Sequence, residues 1–192
     1  AIEDPVRDPE PQGYKGGVET WHRTRAEKLA GQIEAELPNG GCGAFLVWGD
    51  PSLYDSTLRI LDLLRETDRL AFKTEVIPGI SSIQALAASH QLVLNTIGGS
   101  VAIITGRELA DRGLPDWADT AVVMLDRGDG LKAAARMEVD IHWGAYLGQP
   151  SEILVSGQAR DVVARIEEIR AREKQRNGWI MDTYVLRRHR KD

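Results

Sequence analysis

Cysteine is nearly absent: Cys42 stands alone in 192 residues. One thiol closes no internal disulfide and builds no zinc cluster, so a reducing cytoplasm is the expected compartment. Between Gly41 and Gly43, Cys42 reads as an inert structural residue. Apolar runs of membrane-spanning length are missing, and the polar opening AIEDPVRDPEPQGYKGG is not a secretory leader. Positive charge is also short, with 24 Lys and Arg against 29 Asp and Glu, for a net charge of -5. That balance argues against a general nucleic-acid binder. The basic tail RRHRKD, residues 187–192, reads as a solvated end. Neither a membrane nor nucleic acid is expected as a partner.

Several chemical motifs are missing as well. There is no G-x-x-x-x-G-K-[ST] and no G-x-G-x-x-G after a strand, so nothing points to a nucleoside triphosphate. There is no H-E-x-x-H or paired-cysteine site, so no metal is expected. A G-x-S-x-G nucleophile elbow is lacking too. The four histidines, His22, His90, His142 and His189, are scattered, and His142 beside Trp143-Gly144 draws the most interest. Met124, Met137 and Met181 read most simply as core or gap-filling residues.

What remains is a patterned α/β chain with 42% apolar and 28% charged residues. Residues 1–17 look irregular, and 18–37 carry apolar residues on one helical face. PNGGCG breaks the chain before AFLVW, residues 44–48, a continuous apolar run that predicts a buried strand. Gly49-Asp50-Pro51 follows, then a helical pattern through Tyr54, Leu58 and Leu61. The same order recurs with a strand over 72–77, a turn over 78–82 and a helix over 82–90. Two strand–turn–helix units predict parallel strands with both turns at one sheet edge, where open α/β sheets bind ligands. Further strands are predicted over 101–105, 120–125, 141–147, 152–157 and 179–186, with a long helix over 161–174. Gly98-Gly99 suggests a hinge, dividing the chain into domains 1–97 and 98–192.

Two loops carry the candidate site. Asp50 and Pro51 suit a helix cap and first helical position, while Gly49 would let a ligand approach the backbone. The Asp50 carboxylate could accept hydrogen bonds from ribose hydroxyls. In Pro78-Gly79-Ile80-Ser81-Ser82, a serine can cap the next helix, or the N–H groups and hydroxyls can hold an anion.

VWGDPSLYDSTLRIL followed by EVIPGISSIQALAASHQLVL resembles the tetrapyrrole methylases, the S-adenosylmethionine-dependent enzymes of cobalamin and sirohaem synthesis. The stretches ITGRELADRGLPDWADTAVVMLD and HWGAYLGQPSEIL, with GWIMDTYVLRR near the end, carry the likeness further. The resemblance implies two α/β domains with a cofactor cleft between them, and a homodimer. It implies methyl transfer to C1 of precorrin-5 with release of acetate, leaving S-adenosylhomocysteine. Carried onto this sequence, the cofactor contacts are Gly49, Asp50, Pro51, Tyr54, Ser81, Ser82, Met124, Leu125, Tyr146, Gly157 and Gln158.

The family's first strand and Gly-rich loop are not found in this sequence, which implies an incomplete chain or a shortened homologue. A polycarboxylate substrate needs cations, for which Arg7, Lys15, Arg23, Arg25 and Arg107 are candidates. Deacetylation needs an activated water or a protonatable group. Tyr14, Tyr54, Asp55 and His142 stand as candidates for it.

Overall fold

The computed structural model describes residues 13–188, with side chains from residue 17 onward. The chain divides into two compact units, Ala1–Ser81 and Ser82–Asp192. The helix after Pro78-Gly79 therefore belongs with the second unit, whereas the sequence reading placed the division at 97/98.

The described part of the first unit is a helical pair. Helix α1 (Gly13–Glu36) begins earlier than the apolar pattern from Val18 predicts, and α2 spans Thr57–Glu66. Ala26, Leu29 and Ala30 on α1 and Ile60, Leu61 and Leu64 on α2 bury each other. The spacing of these residues at three and four is what turns one face of each helix inward. The strands predicted over 44–48 and 72–77 do not form: neither segment belongs to the described sheet. A strand exists only as part of a hydrogen-bonded ladder, and without one the apolar runs lie open, with Leu46 99% and Ile77 81% exposed.

The second unit is built on a five-stranded sheet ordered β1-β2-β5-β3-β4. The strands are β1 (Val101–Thr105), β2 (Thr120–Met124), β3 (Val139–Ala145), β4 (Ile153–Gln158) and β5 (Asp182–Arg188). β1 and β2 are parallel, β5 runs antiparallel to both β2 and β3, and β4 runs antiparallel to β3. The carboxyl ends of β1, β2 and β3 consequently share one edge. Helices α4 (Gly106–Arg112), α5 (Asp129–Ala134) and α6 (Ala159–Asn177) supply the residues of the main core. There Ala121, Val123, Ile141 and Trp143 of the sheet meet Leu109, Leu131, Val163 and Ile166 of the helices. Alternation along each strand sends these residues to one face.

Helix α3 (Ser82–Ser89) packs against β3 and β5. Gly144 makes this possible: a Cβ there would stand 2.7 Å from Leu86 Cδ1. His90 Nε2 lies 3.0 Å from Trp143 O, and the Ser89 hydroxyl donates to Glu152 Oε2 at 3.0 Å, which fixes the end of α3.

Ile166, with no exposed surface, has neighbours on both sheet and helices that cannot collapse into a void. Ile166→Ala should therefore cost about 3 kcal/mol of folding stability. Urea unfolding should show a lower midpoint at unchanged slope.

Candidate functional site

In the first unit the two loops meet. Asp50 Oδ2 accepts the Gly79 N–H at 2.8 Å, while Oδ1 accepts the Ser52 N–H at 2.9 Å and the Ser52 hydroxyl. These donors, the Ser52 hydroxyl first, hold the carboxyl below the usual aspartate range. The loops are too close for a side chain at Gly79, where a Cβ would stand 2.0 Å from Gly49 O. Gly49 itself has φ +74, with Ser81 Cα 3.4 Å from where its Cβ would be. Gly49, Asp50, Pro51 and the buried Ser81 thus form one surface, which the sequence reading placed at one edge. Ser82 opens α3 in the second unit.

The capping expectation is corrected. α2 starts at Thr57, six residues beyond Pro51, with Ser56 in the capping position. The Asp55 carboxylate accepts the Thr57 N–H at 2.6 Å and so takes the local role the sequence assigned to Asp50. Tyr54 sits between the loop and the helix in a left-handed conformation, φ +54.

In the second unit the shared sheet edge gathers Met124, Leu125 and Tyr146. Val123 pairs with Tyr184 and Tyr184 with Trp143, so two steps further Leu125 stands level with Asp182 and Ala145. Leu125 and Tyr146 are both left-handed, at φ +53 and +52. Such backbone is costly for residues with a Cβ and collects at functional sites. Leu125 is 63% exposed, and its turn takes the adjoining peptide groups out of the ladder. Tyr146 is buried: its N–H donates to Met181 O at 3.1 Å, its hydroxyl donates to Trp179 O at 3.0 Å and accepts from Asn177 Nδ2 at 3.1 Å. Gly157 and Gln158 are not brought to this edge. They pair with Ile141 and Asp140, about 16 Å down the sheet from Tyr146 at strand spacing, and Gln158 is the residue preceding α6.

His142 lies on the α3 face of β3, its ring 5.3 Å from that of His90 and edge-on to it. Its Nδ1 is buried and makes no hydrogen bond. Burial first, then the neighbouring His90 and Arg187, push its pKa down; Asp140 opposes them. Among the cation candidates, Arg25 lies over the Trp21 ring at 5.0 Å, and Arg23 and Arg107 are exposed. Arg7 and His189 lie outside the described residues, as do the side chains of Tyr14 and Lys15.

Sequence reasoning missed a cluster behind the edge. The Asp126 carboxylate accepts N–H groups from Gly128 (2.8 Å), Gly130 (3.0 Å) and Leu131 (2.9 Å) and the Tyr184 hydroxyl at 2.8 Å. The available signal was an Asp with one glycine before a helix and another in its first turn, in DRGDGLK.

An α/β chain with two glycine-bearing loops joined through Asp50 is therefore the class at hand. The family model for Tetrapyrrole (Corrin/Porphyrin) Methylases matches residues 3–163. A precorrin-6A synthase [deacetylating] from Sinorhizobium sp is 46% identical over 184 residues, covering 96% of this chain and 70% of that protein. The crystal structure of a putative cobalamin synthesis related protein (CobF) from Corynebacterium diphtheriae superposes with a TM-score of 0.80 at 40% identity. It covers 91% of this chain and 73% of the other. A uroporphyrin-III C-methyltransferase from Thermus thermophilus, solved with S-adenosylhomocysteine, shares the fold at TM-score 0.51 and 21% identity, over 88% of this chain and 72% of its own. The chain belongs to the tetrapyrrole methylase family. Within it, the chain is a homologue of precorrin-6A synthase.

His142 gives a pH test. Its pKa is lowered in the folded state from an ordinary value near 6.5, so below that pH the unfolded chain binds more protons and stability falls with pH. His142→Phe should flatten this decline between neutral pH and the lowered value, read from urea midpoints across the range.

Proposed function

We propose that the protein is an S-adenosylmethionine-dependent C-methyltransferase of cobalamin biosynthesis, methylating C1 of precorrin-5 and releasing acetate to give precorrin-6A. The observation that carries this reading is the 46% identity, sustained over 184 residues, to a deacetylating precorrin-6A synthase. We further propose that it works as a cytoplasmic homodimer, with S-adenosylhomocysteine as product and no metal.

The cofactor supplies a methyl group on a cationic sulfur. It carries no phosphate, which agrees with a sequence that has no phosphate loop. On this reading, the cofactor contacts of the first unit are Gly49, Asp50, Pro51, Tyr54 and Ser81, and those of the second unit are Ser82, Met124, Leu125 and Tyr146. The joined Gly49 and Gly79 loops support the assignment, because they present backbone at a spot where side chains are excluded. So do the left-handed turns at Leu125 and Tyr146. Gly157 and Gln158 stay in the proposal as outlying contacts. The chain's main contribution is orientation of donor and acceptor carbon, since fixed geometry alone removes a large part of a bimolecular barrier. Acetate release also requires a group that moves a proton, proposed among Tyr54, Asp55 and His142.

Assays of methyl incorporation and acetate release from precorrin-5 test the activity. Both products should appear in equal amounts; methylation of a different precorrin without acetate would overturn the substrate assignment. For the loops, Gly79→Ala and Asp50→Ala should each weaken S-adenosylhomocysteine binding by at least about tenfold in calorimetry, because each parts the Asp50 bridge that shapes the surface. Undiminished binding in both variants would remove these loops from the site.

A further inference from the structure

The Met124–Leu125 turn and the Tyr146 turn are held from behind by one buried polar cluster. Asp126, directly after Leu125, has its carboxylate filled by three N–H groups and the Tyr184 hydroxyl. It is wedged by two glycines: a Cβ at Gly106 would stand 2.3 Å from Asp126 Oδ1, and one at Gly130 2.9 Å from Oδ2. The Asp126 carbonyl accepts Arg170 Nη2 at 2.6 Å. Arg170 Nε lies 3.0 Å from Asp182 Oδ2, and that same oxygen accepts Trp143 Nε1 at 2.7 Å. Asp182 is the cross-strand partner of Ala145, and its neighbour Met181 accepts the Tyr146 N–H. One chain of polar contacts thus runs from the Leu125 turn to the Tyr146 turn, through side chains from α6, β3 and β5.

Both ends of this chain are left-handed residues with side chains. Left to themselves they would relax to ordinary φ values and change where their peptide groups point. Hydrogen bonds behind each turn, joined by the Arg170–Asp182 ion pair, supply the restraint. Its charged members are mostly buried, with the Arg170 and Asp182 side chains 13% and 6% exposed, so each contact is worth more than at the surface.

We infer that Asp126, Arg170, Asp182 and Tyr184 are positioning residues that preset the Leu125 and Tyr146 turns for S-adenosylmethionine. They touch no ligand themselves and act through the backbone of the two turns. The inference rests on the proposal that Leu125 and Tyr146 belong to the cofactor site.

The test uses the full chain, calorimetric titration with S-adenosylhomocysteine and thermal unfolding. Tyr184→Phe deletes one hydroxyl and keeps the ring; Arg170→Lys keeps the charge and loses the fork that reaches both Asp126 and Asp182. Each should weaken binding by about threefold to tenfold, and amide exchange at Leu125 and Tyr146 should accelerate. Val139→Ala, a core change at the end of β3 far from Ala145 and Tyr146, should lower the unfolding midpoint and leave binding as it was. Network variants that unfold earlier yet bind like the parent would overturn the inference. If Arg170→Lys does not fold, Tyr184→Phe alone decides.

Leu125 separates this outcome from failure of the site itself. Leu125→Gly tolerates φ +53, whereas Leu125→Pro forbids it. If both bind normally, Leu125 is not part of the site. If only the proline variant loses binding while Tyr184→Phe keeps it, the site stands and the positioning role does not.

Discussion

Arg170 carries a full positive charge into the second unit, and much of that unit is arranged around its neutralisation. Asp182 lies against it at 3.0 Å, although burial pushes the Asp182 pKa up and favours the neutral acid. The pair is held by its remaining contacts, with Trp143 donating to Asp182 and Asp126 O receiving the guanidinium. Removing one partner from such a pair leaves an uncompensated buried charge, which is far worse than never having had the pair. Sheet, α5 and α6 are therefore committed to one arrangement. A slip of β5 by one residue would point Asp182 to the other face and strand Arg170.

Much of the second unit was legible in the sequence. The strand 101–105 is found at its predicted bounds, and those predicted over 120–125, 141–147 and 152–157 fall within two residues. Alternation over a half-covered sheet is a local property and can be read locally. The long helix predicted over 161–174 is found as Ala159–Asn177 for the same reason. The first unit was less legible. AFLVW and FKTEVI have the composition of strands, but a ladder depends on neighbours that no local window contains. The helix cap was misplaced because Asp50-Pro51 and Asp55-Ser56 both offer plausible starts. What decides is that Asp50 spends its carboxylate on Gly79, twenty-nine residues away.

The candidate site was legible in kind rather than in geometry. Wording near Gly49 and Pro78 pointed to two ligand loops, and the structure joins them through Asp50. Spacing could not tell that Leu125 stands level with Ala145, the residue before Tyr146, across β5, nor that Gly157 falls well down the sheet from them, because both depend on register. The cluster behind the turns escaped notice for a similar reason: Asp126 and Tyr184 are 58 positions apart. Nor does any composition rule signal a left-handed leucine. Such a residue is identified by the restraint around it, and here the restraint is visible only once the chain is folded.

The strand order has a consequence for how the chain comes to be folded at all. β5 follows every other strand in sequence yet occupies the middle of the sheet, between β2 and β3. During synthesis β1–β2 and β3–β4 emerge as two separate pairs, each with an unsatisfied inner edge. Neither can find the other until β5 has left the ribosome and slotted between them. The nascent second unit therefore waits with two sticky edges exposed, the state in which chains most readily associate with the wrong partner. Cooperative closure by this late strand makes β5 as indispensable to the unit as β1.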